Sequence, residues 1–376
     1  MEKIKKIFNR LFHPLMIVLN IIATVAFVLA CLSCFINPNN IWWIGFFGLP
    51  YMHLLVVNLC FVVFWLFSSK KKMAVLSLVF ILTSWPLIGR NIQLFAKKIP
   101  EDKFSKSFKV LSFNVQAFVQ RETRQPNGFV LDMFDFFNEK DPDILCLQEF
   151  SVFSWSHDFN EANIHKRFDN TPNHHIELVA EGVTGSHYKY GIATFSKYPM
   201  IRKKLIFSDN TANACIYTDL LIGSDTVRVF NIHLKSVGFQ NEEKSLLHNM
   251  VKKKYGRADI RAVISIVKQL SLSAIDREQQ VEILCSYIEQ SPYPIIICGD
   301  FNDPPTSYSY QKVRGLRKDA FVEAGKGRVT TFNIGRIASL RIDNILYSDV
   351  FKAYNFESPR VYLSDHFPVM CRLVKD

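Results

Sequence analysis

Acidic residues are almost absent from the first hundred positions. Glu2 is the only one before Glu101, against ten Lys and Arg, whereas residues 101–376 hold 35 Lys/Arg and 33 Asp/Glu. The net charge of +11 is therefore mostly a property of the N-terminal segment. Nucleic-acid-binding domains usually carry a basic surface of their own, and the C-terminal three-quarters has no such overall excess. Cysteine in a metal-type spacing is also missing. Cys146, Cys215, Cys285, Cys298 and Cys371 are scattered through apolar runs and read as small buried hydrophobes. Cys31-x-x-Cys34 lies inside an apolar stretch, where packing explains it better than redox chemistry. There is no internal repeat and no low-complexity tract.

Charge is absent from three runs near the N-terminus: Leu15 to Ile36 (22 residues), Ile41 to Ser69 (29 residues) and Met73 to Gly89 (17 residues, interrupted by Pro86). A bilayer span needs about 20 apolar residues. The runs predict an anchor over residues 1–98 with about three transmembrane helices, near 13–36, 41–68 and 73–95. Trp42, Trp43, Trp65 and Trp85 stand near run ends, where interfacial aromatics are favoured. Lys3, Lys5, Lys6 and Arg10 precede the first run, and Lys70, Lys71 and Lys72 separate the second from the third. The positive-inside bias places both segments in the cytoplasm. That makes the chain an integral, multi-pass membrane protein with its C-terminal domain outside the cytoplasm. A cleaved signal peptide is the competing reading, and Val28-Leu29-Ala30-Cys31 loosely resembles a lipoprotein cleavage site. Two further apolar runs after it argue against cleavage.

Residues 99–107 read as a polar linker and 108–376 as one large domain. Strands are predicted at Val110–Val115, Asp143–Gln148, Gly191–Phe195, Cys215–Leu221, Val227–Leu234, Ile295–Cys298 and Ile342–Tyr347. Helices are predicted at Phe129–Asn138 and Ala274–Glu289, with two long loops at Ser151–His174 and Gly238–Arg257. This alternation argues for a layered α/β domain.

Polar residues recur where those strands end. Asn114 follows Val110-Leu111-Ser112-Phe113, and Glu149 follows Asp143-Ile144-Leu145-Cys146-Leu147-Gln148. Asn231 and His233 are two residues apart, as are Asp300 and Asn302, so each pair can share a side of its strand. Asp343, Asp365 and His366 complete the set. Any one of these is more often a capping, solvated or merely structural residue. Together they form a convergent site of the kind α/β proteins build at strand ends. Hard oxygen ligands suit Mg²⁺, Mn²⁺ or Ca²⁺.

The strings LSFNV, DILCLQE, YGIATFSKYP, FNIHLKS, ICGDFNDPP, RIDNIL and SDHFP occur in that order from about Phe108 to Arg372. In this the chain resembles the endonuclease/exonuclease/phosphatase superfamily of DNase I-like fold, whose members cleave phosphoesters. The resemblance implies a four-layer α/β sandwich after the anchor and a divalent-metal-dependent phosphoesterase. It implies Glu149 as metal ligand, with Asn114 and Asp365 beside it. It implies Asp300 as the group that orients or deprotonates water, Asn302 and His233 as contacts to phosphoryl or leaving oxygens, and Asp343–His366 as a pair. Asn231 of the N-x-H string is expected near the phosphate. The motifs leave the substrate open. The anchor and the near-neutral domain favour a lipid headgroup or other phosphorylated small molecule, with a membrane-tethered nuclease as the alternative. The sequence names no protein partner. Lys252-Lys253-Lys254 reads as a solvated face or as a contact for anionic headgroups.

Overall fold

The computed structural model describes residues 2–118, 128–182, 188–209, 211–237, 258–334 and 338–375. It divides into two compact units. One comprises Met1–Asn91 with Pro304–Gln311, and the other comprises Ile92–Asp303 with Lys312–Asp376.

The first unit is helical. Helix α1 (Glu2–Leu32), α2 (Gly45–Gly48), α3 (Tyr51–Leu66), α4 (Ala74–Thr83) and α5 (Trp85–Gly89) follow one another. Among the described residues only Phe12–Leu32, 21 residues, is long and apolar enough to cross a membrane, at about 31 Å. The expectation of about three spans, and with it a multi-pass protein, is therefore corrected. The second charge-free run is cut at Leu49-Pro50, which leaves α3 with 16 residues. The third breaks at Ser84, ahead of Pro86, so α4 has 10 residues and α5 five. Proline lacks the N–H that a continuing helix would use.

A buried polar cluster joins α1, α3 and α4. Asn20 donates to Ser77 at 2.6 Å and to Thr24 at 3.2 Å, and accepts from Trp65 Nε1 at 2.8 Å. Thr24 and Ser77 both donate to Asn58 Oδ1, at 3.0 and 2.9 Å. All five side chains are buried, so each bond is made where a lone polar group would be costly. The segment Pro304–Gln311 is held within the same unit. Ser33 Oγ donates to the Thr306 carbonyl at 2.9 Å, and Thr306 Oγ1 donates to the Gly48 carbonyl at 2.9 Å. Arg90 Nη1 donates to the Pro305 carbonyl at 3.1 Å. A Cβ on Gly48 would stand 2.5 Å from Ser33 Oγ, so this approach needs glycine.

The second unit is built on fourteen strands: β1 (Ser107–Asn114), β2 (Ile144–Phe153), β3 (Asn173–Glu181), β4 (Tyr188–Ser196), β5 (Met200–Ser208), β6 (Ala214–Ile222), β7 (Asp225–His233), β8 (Ile295–Asp300), β9 (Lys318–Asp319), β10 (Phe332–Ile334), β11 (Ala338–Leu340), β12 (Asp343–Tyr347), β13 (Phe351–Glu357) and β14 (Val369–Lys375). Among the described residues they form two mixed six-stranded sheets, in the orders β13-β14-β1-β2-β4-β3 and β5-β6-β7-β8-β12-β9, and a separate two-stranded pair, β10-β11. Among the described residues only β1–β2 and β7–β8 pair in parallel.

Period-2 alternation explains the layering. Ile144 and Cys146 of β2 point into the core between the sheets, with Val229, Ile296, Cys298 and Ile345 of the opposite sheet. Leu145 and Leu147 point the other way, onto Met133, Phe134 and Phe137 of the helix Gly128–Lys140. A strand covered on both faces reads as an unbroken apolar run. The second sheet is covered by the helix Ala258–Glu289, whose Val281, Leu284 and Ile288 are buried. The order helix, sheet, sheet, helix is the expected four-layer α/β sandwich. All five cysteines of this unit are free and buried, as expected of small hydrophobes.

The predicted loop Ser151–His174 contains the end of β2, a 3₁₀ turn at Ile164–Arg167 and the start of β3. The predicted loop Gly238–Arg257, with its three lysines, lies outside the described residues. The Ala258–Glu289 helix is twice the length expected for it and carries a buried acid, Glu278. Burial, reinforced by Glu282, pushes its carboxyl up to about 7. A carboxyl raised on folding costs nothing while both states are protonated. Its cost grows between the ordinary glutamate value and about pH 7, then levels off. Glu278→Gln is therefore expected to raise the thermal midpoint at pH 8, by on the order of 3 kcal/mol of stability, and to change it little at pH 4.5. Equal gains at both pH values would contradict this assignment.

Candidate active site

One carboxylate oxygen stands at the middle of the site. Asp300 ends β8 and is 1% exposed. In register it faces His233 of β7 on one side and Asp343 of β12 on the other. Its Oδ2 accepts from Asn114 Nδ2 at 3.1 Å and lies 3.6 Å from both His233 Nε2 and His366 Nε2. Its Oδ1 accepts from the Asn302 backbone N–H at 2.8 Å. Gly299, at φ 141°, makes this bend possible, because a Cβ there would sit 2.0 Å from the Ile232 carbonyl oxygen.

Glu149 reaches the same place through a β-bulge. The β2–β4 register shifts between Gln148 and Phe150, and Glu149 takes a left-handed φ of 50°. Asn302 is similarly left-handed, at φ 51°. Such backbone in a residue with a side chain costs of order 1 kcal/mol or more and concentrates at functional sites. Asn114 Nδ2 donates to Glu149 Oε1 at 3.2 Å as well as to Asp300, so one amide braces both carboxylates. His233 Nε2 is 3.8 Å from Glu149 Oε1, and its Nδ1 faces the Ala212 carbonyl at 2.9 Å. That carbonyl can only accept, so Nδ1 carries a proton, and Nε2 carries one only when the ring is charged.

His366 is buried and its Nδ1 donates to Asp343 Oδ2 at 3.0 Å. Burial alone would lower its pKa. The Asp343 and Asp300 carboxylates outweigh burial and hold it well above the ordinary imidazole range. Burial raises Asp343, and the His366 charge partly offsets this. The mutual attraction favours a protonated His366 beside an ionised Asp343.

Asp365 is tied in through its backbone N–H, which donates to Gln116 Oε1 at 3.2 Å. Asn231 is the exception among the expected residues. It is fully buried between the sheets, where its Oδ1 accepts from Gln148 Nε2 at 2.6 Å and its Nδ2 donates to the Ala193 carbonyl at 2.8 Å. Both ends of its amide are used inside the core, so it braces the two sheets. The other eight residues converge. Three contributors were not expected. Ser364 Oγ donates to the Asn114 carbonyl at 2.7 Å, Gln116 N–H donates to Asn114 Oδ1 at 3.1 Å, and Thr331 Oγ1 accepts the Asp343 N–H at 3.0 Å. Only Ser364, inside the SDHFP string, left a signal in the sequence.

A metal fits one side of this site better than the other. Asp300, Asp343 and His366 offer atoms within 4.8 Å of one another, but a cation held by all three would have to break the Asp343–His366 hydrogen bond. On the opposite side Glu149 and Asp300 share one amide. Among the described residues they have no lysine or arginine partner. Paired hard oxygens with that deficit of positive charge suit a divalent cation.

The model of the endonuclease/exonuclease/phosphatase family matches residues 111–366, all but the first few residues of the sandwich and its last strand. The chain belongs to this family. It is a hydrolase that cleaves phosphoester bonds, and enzymes of the family generally use divalent metals. A domain of unknown function matches residues 9–91. Among solved structures, an endonuclease/exonuclease/phosphatase from Beutenbergia cavernae aligns at a TM-score of 0.51 with 16% identity, over 72% of each chain. The human nocturnin catalytic domain with bound sulfate aligns at 0.49 with 18% identity, over 72% of this chain and 95% of that one. Truncated Caenorhabditis elegans TDP2 aligns at 0.45 with 19% identity, over 73% and 100%. No curated protein matches the sequence.

Proposed function

We propose that this family member is a membrane-anchored phosphoesterase whose substrate is a phosphodiester or phosphomonoester on a lipid headgroup or other small molecule. The reading is carried by a complete hydrolytic constellation in a chain that also bears the apolar helix Phe12–Leu32. With the N-terminal cations on the cytoplasmic side, one span puts the catalytic unit on the opposite side. The near balance of charge in residues 101–376 supports a small substrate over a nucleic-acid backbone.

The residues support definite roles. Glu149, with Asp365 and the Asn114 side chain nearby, would hold Mg²⁺, Mn²⁺ or Ca²⁺. When bound, that ion neutralises charge on the phosphoryl oxygens. Asp300 Oδ2, flanked by two imidazoles, takes the proton of the attacking water. Asp343 fixes the His366 tautomer, so a charged Nε2–H faces the reacting oxygen. His233, when charged, and the Asn302 amide donate to phosphoryl or leaving oxygens as charge develops there.

The experiment is a side-by-side assay of the full chain in detergent, with Mg²⁺, on phospholipid vesicles, on bis(p-nitrophenyl) phosphate and on duplex and single-stranded DNA. Turnover of lipid or of the small ester with DNA left intact is expected. Cleavage of DNA alone would replace this reading with that of a tethered nuclease.

A further inference from the structure

Two side chains from one face of the Ala258–Glu289 helix reach the loops that leave β7 and β8 at the site. Arg277 and Gln280 are three residues apart, so both project to the same side. Gln280 Oε1 accepts the Lys235 backbone N–H at 2.7 Å, and Arg277 Nε donates to the Lys235 carbonyl at 2.9 Å. The backbone of Lys235 is thus held at both ends. One residue earlier, the Leu234 carbonyl accepts from Asn302 Nδ2 at 2.9 Å and from Asn213 Nδ2 at 2.9 Å. One residue after Asn302, the Asp303 carboxylate pairs with Arg277 Nη1 at 2.9 Å. Arg277 is 3% exposed.

A structural ion pair would need only Asp303. The second arm, onto a backbone carbonyl of the other loop, makes Arg277 a bridge, and the amide of Asn302 hangs from the bridged segment on both sides. The left-handed backbone of Asn302 needs such restraint. We propose that Arg277 is a positioning residue that aims the Asn302 carboxamide at the phosphoryl group by tying together the loops after β7 and β8. The planar fork of arginine suits this, since it presents donors in two fixed directions, whereas lysine offers one point charge. The inference rests on the reading of Asn302 as a phosphate contact, and not on any choice of substrate.

The test uses the full chain, Mg²⁺ and bis(p-nitrophenyl) phosphate. Arg277→Met is expected to lower kcat by about 10- to 100-fold with KM changed by less than about threefold, the pattern of a misaimed group. Asn302→Ala should cost less than about threefold more in the Arg277→Met background. Asp303→Asn, which weakens one arm, should cost less than Arg277→Met. Arg277→Lys should keep the wild-type thermal midpoint and recover only part of kcat, which separates aim from folding. If Arg277→Met does not fold, the lysine variant carries the test, and wild-type kcat in it overturns the proposal. Losses that simply multiply in the double variant overturn it too. Wild-type rates for Asn302→Ala alone would instead overturn the phosphate-contact reading beneath it.

Discussion

His366→Ala is expected to reduce turnover by at least about 10²-fold, the scale of a positioned acid–base group. The ring is buried, donates to Asp343 from Nδ1 and faces Asp300 Oδ2 from Nε2 at 3.6 Å. Deleting it removes a charged donor proposed to face the reacting oxygen and leaves Asp343 buried without its imidazole partner. Asp300→Asn should cost as much, because the amide keeps the size of the side chain and loses the basicity. Asp343→Asn should cost less than His366→Ala, since it disturbs the tautomer and the charge of a ring that is still present. Combining Asp343→Asn with His366→Ala should add little to the histidine change, because the two act as a unit. The measurement is steady-state turnover at saturating Mg²⁺, with circular dichroism confirming each fold. Near-wild-type rates for His366→Ala, or strictly additive losses in the double variant, would sink the pair.

Glu149→Gln carries the second large effect. One ligand oxygen and one unit of charge leave the site, while Asn114 can still hydrogen-bond the remaining amide oxygen, so the bulge and the fold should persist. Metal-supported turnover should fall by about 10²-fold or more, and saturation should move to higher Mg²⁺ concentration. Chelation of the wild type should abolish turnover, and added Mg²⁺ or Mn²⁺ should restore it. Wild-type turnover that survives a chelator would refute the metal-assisted mechanism. Full turnover by Glu149→Gln would refute only the placement of the ion beside this residue.

The core strands were legible because they are covered on both faces. Ile295–Cys298 is an unbroken apolar run and Val110–Val115 is broken only by Ser112 and Asn114; they correspond to β8 and β1. The edge and near-edge strands were not legible. β5 carries Arg202, Lys203 and Lys204 in a row, all exposed, which reads as loop. β3 alternates weakly, with most positions only half-buried. Cations on an edge are a common guard against strand pairing between molecules, and they erase the apolar signal. The residues Asp300, His233 and His366, where chemistry and strand end coincide, are brought together as expected. Asn231 is not brought to them. Asn231 shares a side of β7 with His233, but it lies two residues further from the strand end, where Gln148 and the Ala193 carbonyl take up its amide, whereas His233 at the strand end reaches Asp300 and Glu149. Gln116 and Thr331 were hidden because they act through backbone contacts, which leave no pattern in composition. The number of spans was over-read because run length without charge cannot reveal that the helices break at Leu49-Pro50 and at Ser84.

The way Pro304–Gln311 belongs to the helical unit bears on how the enzyme can be dissected. The chain passes between its two units three times, after Asn91, after Asp303 and after Gln311. A fragment beginning at Ile92 would keep Pro305 and Thr306 yet lose Ser33, Gly48 and Arg90. Two carbonyls and a hydroxyl would be left without their partners, and each such group, if it stays buried, costs about 1–3 kcal/mol. A soluble catalytic fragment therefore calls for redesign of residues 304–311 along with the cut, for instance by a short polar loop joining Asp303 to Lys312. Conversely, the helices expressed alone would lack the peptide that Ser33 and Arg90 grip. Removing the helical unit is an act of surgery on the loop that follows Asp300 and Asn302, and not the trimming of a tail.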